Sequence, residues 1–159
     1  MKAIALDYSM NCPCGFDGQR WILFYRNSIS KKVKEEVRAC PLYIEVHEVF
    51  ATSFMPKVVT KLLSEKQFEL VYLEDYSYGG FKQTAIAENT GVLKYLLSQS
   101  HIDIKTVPIS TWKKEAVGNG HAKKEQIMRL FNAIHKTNFR AASPFQDLAD
   151  SYFIWQSVI

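Results

Sequence analysis

The chain has 159 residues and a formal net charge of +4. That length supports one domain with a real core, residues 1–159, and leaves no room for two comfortable ones. No apolar run approaches the roughly 18 residues of a membrane-spanning helix, and the opening residues lack the pattern of a signal peptide, so a cytoplasmic location without membrane contact is expected. Cys12, Cys14 and Cys40 are an odd number and are read as free thiols, because Cys-x-Cys with one distant Cys is not a usual structural zinc spacing.

Residues 2–7 are a short apolar run and read as the first strand. Residues 8–19, punctuated by Pro13, Gly15 and Gly18, read as a loop. Residues 20–25 are rich in aromatic and branched side chains and read as a second strand. Residues 30–39 are charged and form either a short helix or an exposed excursion. Leu42, Ile44 and Val46 alternate with Tyr43, Glu45 and His47, the period of a half-buried third strand. Three antiparallel strands in a row is the simplest arrangement of this opening.

The pattern then changes. Residues 56–66 read as a helix and residues 70–73 as a central strand buried on both faces. Residues 82–98 carry Ile86, Leu93 and Leu97 on one helical stripe. Residues 103–107 form a fifth strand, and Ser110 caps a short helix bearing Trp112 and Lys113. Gly118-Asn119-Gly120-His121 breaks that helix before another at 123–134. Ser143, Pro144 and Gln146 read as the N-cap, first position and capping-box residue of the last helix. The expected fold is α/β: a mixed five-stranded sheet, antiparallel and then parallel, with helices on both faces. If the first and fourth strands are parallel neighbours, their C-terminal ends lie side by side, where open α/β sheets place ligands.

Those two ends carry acids. Asp7 closes the first strand and Glu74 the fourth. Asp7 alone is an ordinary turn former, but Glu74 follows four apolar residues, where an unpaired carboxylate is costly. Asp147 and Asp150 stand at i and i+3 of the last helix and project on one face. Asp147 suits a helix N-terminus by itself, whereas Asp150 lies in an otherwise apolar stretch. Four such acids packed together repel one another and raise each other's pKa values. Divalent cations relieve that cost, and carboxylate oxygens suit Mg²⁺, which orients and neutralises phosphodiesters.

The bases are unevenly placed. Lys105, Lys113, Lys114, Lys123, Lys124, Arg129, Lys136 and Arg140 are opposed in their segment only by Glu115 and Glu125. A basic stretch beside an acid cluster fits a phosphate polymer cut with metal ions; a solvated helical face is the plainer account. Gly118 and Gly120 would let backbone N–H groups approach a phosphate, with Lys123 and Lys124 adding charge and His121 a further contact. Tyr76, Tyr78 and Phe81 flank Gly79-Gly80 directly after Glu74 and either stack on unpaired bases or pack on the next helix.

Four segments together resemble the RuvC-type Holliday junction resolvases of the RNase H-like, retroviral-integrase-like nuclease superfamily. They are Ile4-Ala5-Leu6-Asp7, Leu73-Glu74-Asp75-Tyr76, Val117-Gly118-Asn119-Gly120-His121-Ala122-Lys123-Lys124 and Asp147-Leu148-Ala149-Asp150. The likeness spans nearly the whole chain. It departs after Asp7, where family members carry a Gly-rich turn and this chain has Tyr8-Ser9-Met10-Asn11-Cys12-Pro13-Cys14. With that departure, what the resemblance implies is a divergent member, expected to be phage-encoded.

The resemblance implies a homodimeric, Mg²⁺-dependent endonuclease that nicks two strands of a four-way DNA junction symmetrically. It implies Asp7, Glu74, Asp147 and Asp150 as ligands of two Mg²⁺ ions, with Mn²⁺ substituting, and Lys113 and Lys124 at phosphate near the scissile bond. Lys124, with Lys113, would stabilise the charge that develops there, and the expected ends are 5′-phosphate and 3′-hydroxyl. Lys113, Lys114, Gly118, Gly120, His121, Lys123, Lys124, Tyr76, Tyr78 and Phe81 are the expected DNA contacts. The alternatives are a nuclease of the same fold acting on flaps, forks or RNA–DNA hybrids, and a non-catalytic junction-binding protein.

Overall fold

The structure, a computed structural model, describes residues 1–75 and 81–159, without the side chains of residues 81–83. The described strands are β1 Ala3–Asp7, β2 Cys14–Phe16, β3 Trp21–Arg26, β4 Ile44–Val49, β5 Leu70–Glu74 and β6 Asp103–Val107. The helices are α1 Lys31–Ala39, α2 Met55–Glu65, α3 Phe81–Gln99, α4 Ile109–Val117, α5 Lys124–His135 and α6 Phe145–Val158. The strands form one mixed sheet in the order β4-β3-β2-β1-β5-β6. The α/β class, with helices on both faces, is as expected.

The opening of the chain differs from the expected five-stranded arrangement in two respects. The segment read as a loop contains β2, which pairs antiparallel with both β1 and β3 and makes the sheet six-stranded. Its Gly15 looked like loop punctuation. It is there because β2 lies close on its neighbours: a Cβ at Gly15 would come within 2.4 Å of Ile4 Cδ1. The third predicted strand, β4, runs parallel to β3 rather than antiparallel, at the edge of the sheet. A parallel return needs a crossover, and α1 supplies it. Ser30 caps that helix by accepting the Val33 N–H at 3.3 Å. Side-chain alternation reveals half-burial but not strand direction, so the sequence pattern was blind to this difference.

Alternation along each strand sorts the core into two layers. Ile4, Leu6, Ile22, Phe24, Val71 and Leu73 pack with Val59, Leu63, Leu93 and Leu97 of α2 and α3. Ala5, Cys14, Phe16, Trp21, Leu23 and Tyr25 face the other way, toward Trp112, Phe131, Phe145, Leu148, Phe153 and Ile154 of α4, α5 and α6. Asp7 shares the parity of Ala5, and Glu74 that of Tyr72, which packs against this second layer. Both acids are therefore directed to the face covered by α6, which lies over β1, β2 and β5.

Two helix starts differ from expectation. Pro108, not Ser110, is the N-cap of α4, and its carbonyl accepts the Thr111 N–H at 3.0 Å. The helix α6 begins at Phe145 after Pro144, with no side-chain cap bond and hence no capping box from Ser143 and Gln146. Gln146 instead reaches forward along its own helix, donating from Nε2 to Asp150 Oδ1 at 2.8 Å. Among the described residues no helix is long and apolar enough to cross a membrane.

Candidate active site

Parallel pairing of β1 with β5 matches Leu6 to Leu73, so Asp7 and Glu74 follow as neighbours at the same end of adjacent strands, about 4.8 Å apart in the pairing direction. The first two turns of α6 lay Asp147 and Asp150 over them. All four acids line one cleft of about 510 Å³, together with Tyr8, Ser9, Thr90, Lys124, Ser143 and Gln146. Asp7 and Asp147 are buried, and Glu74 and Asp150 half-buried. A hollow of about 570 Å³ at the far end of the sheet is slightly larger, lined by Lys2, Phe68, Glu69 and Ile102. It gathers no acid cluster, and Lys2 Nζ is already bonded to Lys66 O, so the carboxylate cleft is the better candidate.

The four acids perturb one another. Burial, then the charges of Glu74, Asp147 and Asp150, pushes the Asp7 carboxyl well above the ordinary range. Glu74 is pushed up to about 8, first by burial and then by Asp150, against the pull of Trp112 and Lys113. Burial raises Asp150 to about 7 and Asp147 to about 6. Gln146, Lys113 and Lys124 draw Asp150 down, and Ser143, Asp7 and Ser9 do so for Asp147. No ion pair among the described residues includes any of the four. Asp147 Oδ2 is buried without a hydrogen-bond partner.

Buried oxygens without a countercharge are what a hard cation would satisfy, so the donor set fits a divalent ion such as Mg²⁺. Among the described residues no three His, Cys, Asp or Glu side chains already converge as a finished cage. The thiols offer no competing site. Cys12 and Cys14 are buried, with Cys12 pushed up to about 12 by burial and then by Asp147. Cys14 accepts a hydrogen bond from Ser151 Oγ at 3.6 Å.

The expected DNA-contacting residues divide into groups. Lys124 lines the cleft, and Lys113 acts electrostatically on Glu74 and Asp150 while donating from Nζ to Ala122 O at 3.0 Å. Lys114, Gly120 and His121 line a separate hollow with Ser110, Thr111 and Glu115, and none of the four cleft acids lines it. Lys123 is exposed at the start of α5. Tyr76, Tyr78 and the side chain of Phe81 lie outside the described residues.

The glycine loop has structural reasons of its own. Gly118 ends α4 with φ 75°, in the left-handed region. A Cβ at Gly120 would meet Ser110 O at 2.9 Å. The N–H groups of Gly118, His121, Ala122 and Lys123 are already donated to Lys114 O, Asn119 Oδ1, Asn119 O and Gln126 Oε1. As it stands, this loop offers side-chain charge to a phosphate rather than a cradle of those four amides.

Sequence reasoning missed two polar side chains at the site. Trp112, 1% exposed, donates its indole N–H to Glu74 Oε2 at 3.1 Å. Gln146, 5% exposed, holds Asp150. The Gln146–Asp150 spacing of four was a readable signal, since such pairs bond along a helix. Nothing in the sequence foretold the Trp112 bond, which depends on how α4 packs against α6 and α5.

The sequence matches no protein-family model. It matches no curated protein sequence either. Comparison with solved structures is informative. The chain superposes on Thermus thermophilus RuvC with a TM-score of 0.55 at 14% identity, covering 97% of this chain and 90% of that one. For T. thermophilus RuvC in complex with a Holliday junction substrate the TM-score is 0.56 at 16% identity, with the same coverage. The fold of this chain is therefore RuvC-like, as the four sequence segments implied.

Proposed function

We propose that the chain is a divalent-metal-dependent, structure-selective endodeoxyribonuclease that resolves four-way junctions and cuts related branched DNA. The observation that carries this reading is the meeting of Asp7, Glu74, Asp147 and Asp150 in one cleft of a RuvC-like fold, with Lys113 and Lys124 beside them. The T. thermophilus protein bound to a Holliday junction substrate supports the choice of substrate class.

The four acids would hold two Mg²⁺ ions, with Mn²⁺ as a substitute. Bound there, they would supply Lewis-acid chemistry for hydrolysis of the phosphodiester by water with departure of the 3′ oxygen, and the ends would be 5′-phosphate and 3′-hydroxyl. The chain's own groups do the rest. Lys124 and Lys113 direct positive charge at the cleft, where negative charge grows in the transition state. Burial of Asp7 and Asp147 strengthens their hold on a cation by lowering the local dielectric. The exposed Lys114, Lys123 and His121 extend a basic track for the phosphate backbone. Paired nicks need two sites related by a two-fold axis, so a homodimer, acting in the cytoplasm, is part of the proposal.

The test is incubation with labelled four-way junction, fork, flap, linear duplex and RNA–DNA hybrid, each with Mg²⁺ and with EDTA. The expected result is paired cleavage of the junction with Mg²⁺ alone. Preferential cutting of the hybrid or flap would move the substrate while keeping the chemistry. Junction binding without cleavage in either Mg²⁺ or Mn²⁺ would make the protein a non-catalytic binder.

A further inference from the structure

The two half-buried acids of the cleft are each held by one neutral donor. The indole N–H of Trp112 reaches Glu74 Oε2 at 3.1 Å. The amide N–H of Gln146 reaches Asp150 Oδ1 at 2.8 Å. Both donors are anchored in packed surroundings, with Trp112 1% and Gln146 5% exposed. One oxygen of each acid is thus engaged, and the other lies outside these two bonds.

The chemistry of the donors matters. A Lys or Arg in bonding contact would neutralise the acid it held and compete with a cation. A neutral N–H fixes the carboxylate plane and leaves its full charge to attract one. Gln146 has a further property. Its Oε1 is buried without a hydrogen-bond partner, and the residue lines the cleft. A buried amide oxygen is costly to leave unpaired. Its location suits acceptance of a hydrogen bond from water coordinated to an ion between the acids.

Resting on the metal-dependent reading above, we propose that Trp112 and Gln146 are positioning residues that set Glu74 and Asp150 for a divalent cation, with Gln146 Oε1 accepting from a water of its shell. Neither touches the reacting phosphate; each acts through an acid.

The experiment titrates Mn²⁺ into the DNA-free full chain, following heat release and the rise in Tm, for wild type, Trp112→Phe and Gln146→Leu. Each variant keeps apolar bulk and loses its N–H. The expected result is metal affinity weaker by about 10-fold to 100-fold, the usual effect of losing a partner that orients a ligand. The Mn²⁺ concentration for half-maximal junction cleavage should rise in parallel, while kcat at saturating Mn²⁺ returns to near the wild-type value. A variant with lowered Tm in EDTA but wild-type Mn²⁺ affinity has lost packing only, and that overturns the positioning role.

A measurement on the unmutated protein covers failure of a variant to fold. With ¹⁵N-labelled Trp, Mg²⁺ should shift the Trp112 indole N–H resonance more than those of Trp21 and Trp155. An unmoved Trp112 signal under saturating Mg²⁺ overturns its role. Wild type that binds neither Mg²⁺ nor Mn²⁺ overturns the metal-dependent reading and this inference with it; wild type that binds both while the variants bind equally well overturns this inference alone.

Discussion

Asp147→Asn should stabilise the metal-free protein while removing its response to metal. Asp147 is 4% exposed, and its Oδ2 has no partner. Its carboxyl is raised from the ordinary 3.8 to about 6, by burial first. A carboxyl raised in the fold supports stability below its unfolded pKa, near 4. That support is lost as pH rises through the folded value. At about 1.4 kcal/mol per pH unit, ionised Asp147 costs the metal-free fold roughly 3 kcal/mol, shared with the neighbours that titrate with it. Asparagine keeps the shape and removes the charge. At roughly 2–4 °C per kcal/mol for a chain of this size, the variant should gain about 3–10 °C in Tm at pH 8 in EDTA. The gain should shrink toward pH 4, where the wild-type acid is protonated. Saturating Mn²⁺ should raise the wild-type Tm, by about 2.7 kcal/mol of stability at 100 times Kd, and leave the variant nearly unmoved. The assay is a melting curve by circular dichroism over pH 4–8, with EDTA or Mn²⁺. A variant less stable than wild type at pH 8 in EDTA would refute the claim that the acids strain the metal-free fold. A variant with the full Mn²⁺ response would remove Asp147 from the ligand set.

Asp7→Asn, Glu74→Gln and Asp150→Asn should each lower junction cleavage by at least about 100-fold while leaving junction binding, read by gel shift, within a few-fold; wild-type cleavage by any of them takes that acid out of the site. Lys124→Ala should slow single-turnover cleavage by about 10-fold or more, and Lys113→Ala should do so with some loss of Tm, because its bond to Ala122 O also ties the loop to α4. Junction affinity should fall steeply between about 50 and 200 mM salt as counterions are released; a flat dependence contradicts a phosphate-tracking surface. Joint replacement of Tyr76, Tyr78 and Phe81 by alanine should reduce processing of intact junctions more than nicking of a substrate already unpaired at its branch, and equal loss of both with a large fall in Tm makes these residues packing groups.

The acids were readable because each broke a rule of its own element. Glu74 ends a strand that is otherwise apolar, and Asp150 interrupts the apolar surface of α6; such violations carry a cost that a fold keeps for a purpose. Their convergence was readable conditionally: if the first and fourth strands were parallel neighbours their ends would meet, and β1 and β5 do pair in parallel. The opening was less legible for physical reasons. A three-residue strand containing glycine gives too little alternation to separate from a loop, and β2 is recognisable only once Ile4 and Trp21 are seen on either side of it. The direction of β4 is set by the crossover through α1, which leaves no mark on side-chain period. The Ser143 cap followed a good local rule that lost to context: Gln146, its expected capping partner, is engaged with Asp150 instead. The glycine loop looked like an anion cradle because glycine frees the backbone, but those glycines close turns in which the amides of Gly118, His121, Ala122 and Lys123 are spent internally.

A helix that carries two acids without ion-pair partners into a core must be held there by other forces. Ionised Asp147, together with the neighbours that titrate with it, costs roughly 3 kcal/mol without metal. Against it, Phe145, Leu148, Phe153 and Ile154 of the same helix are buried, each at 3% exposure or less. At roughly 1.5–3 kcal/mol per buried apolar side chain, those four contribute about 6–12 kcal/mol. Trp21 adds a bond from its indole N–H to Leu148 O at 3.0 Å. Rotating α6 by one residue would free the acids, but it would turn the helix by about 100° and expose part of that apolar set. The helix therefore cannot relieve its electrostatic strain by moving. The strain stays localised between Asp7, Glu74, Asp147 and Asp150, where the available remedies are a bound cation and protonation, the latter already open near neutral pH to Glu74, which is pushed up to about 8. On the proposed reading, the packing of α6 thus pre-organises the acids for metal and keeps the metal-free fold below its attainable stability.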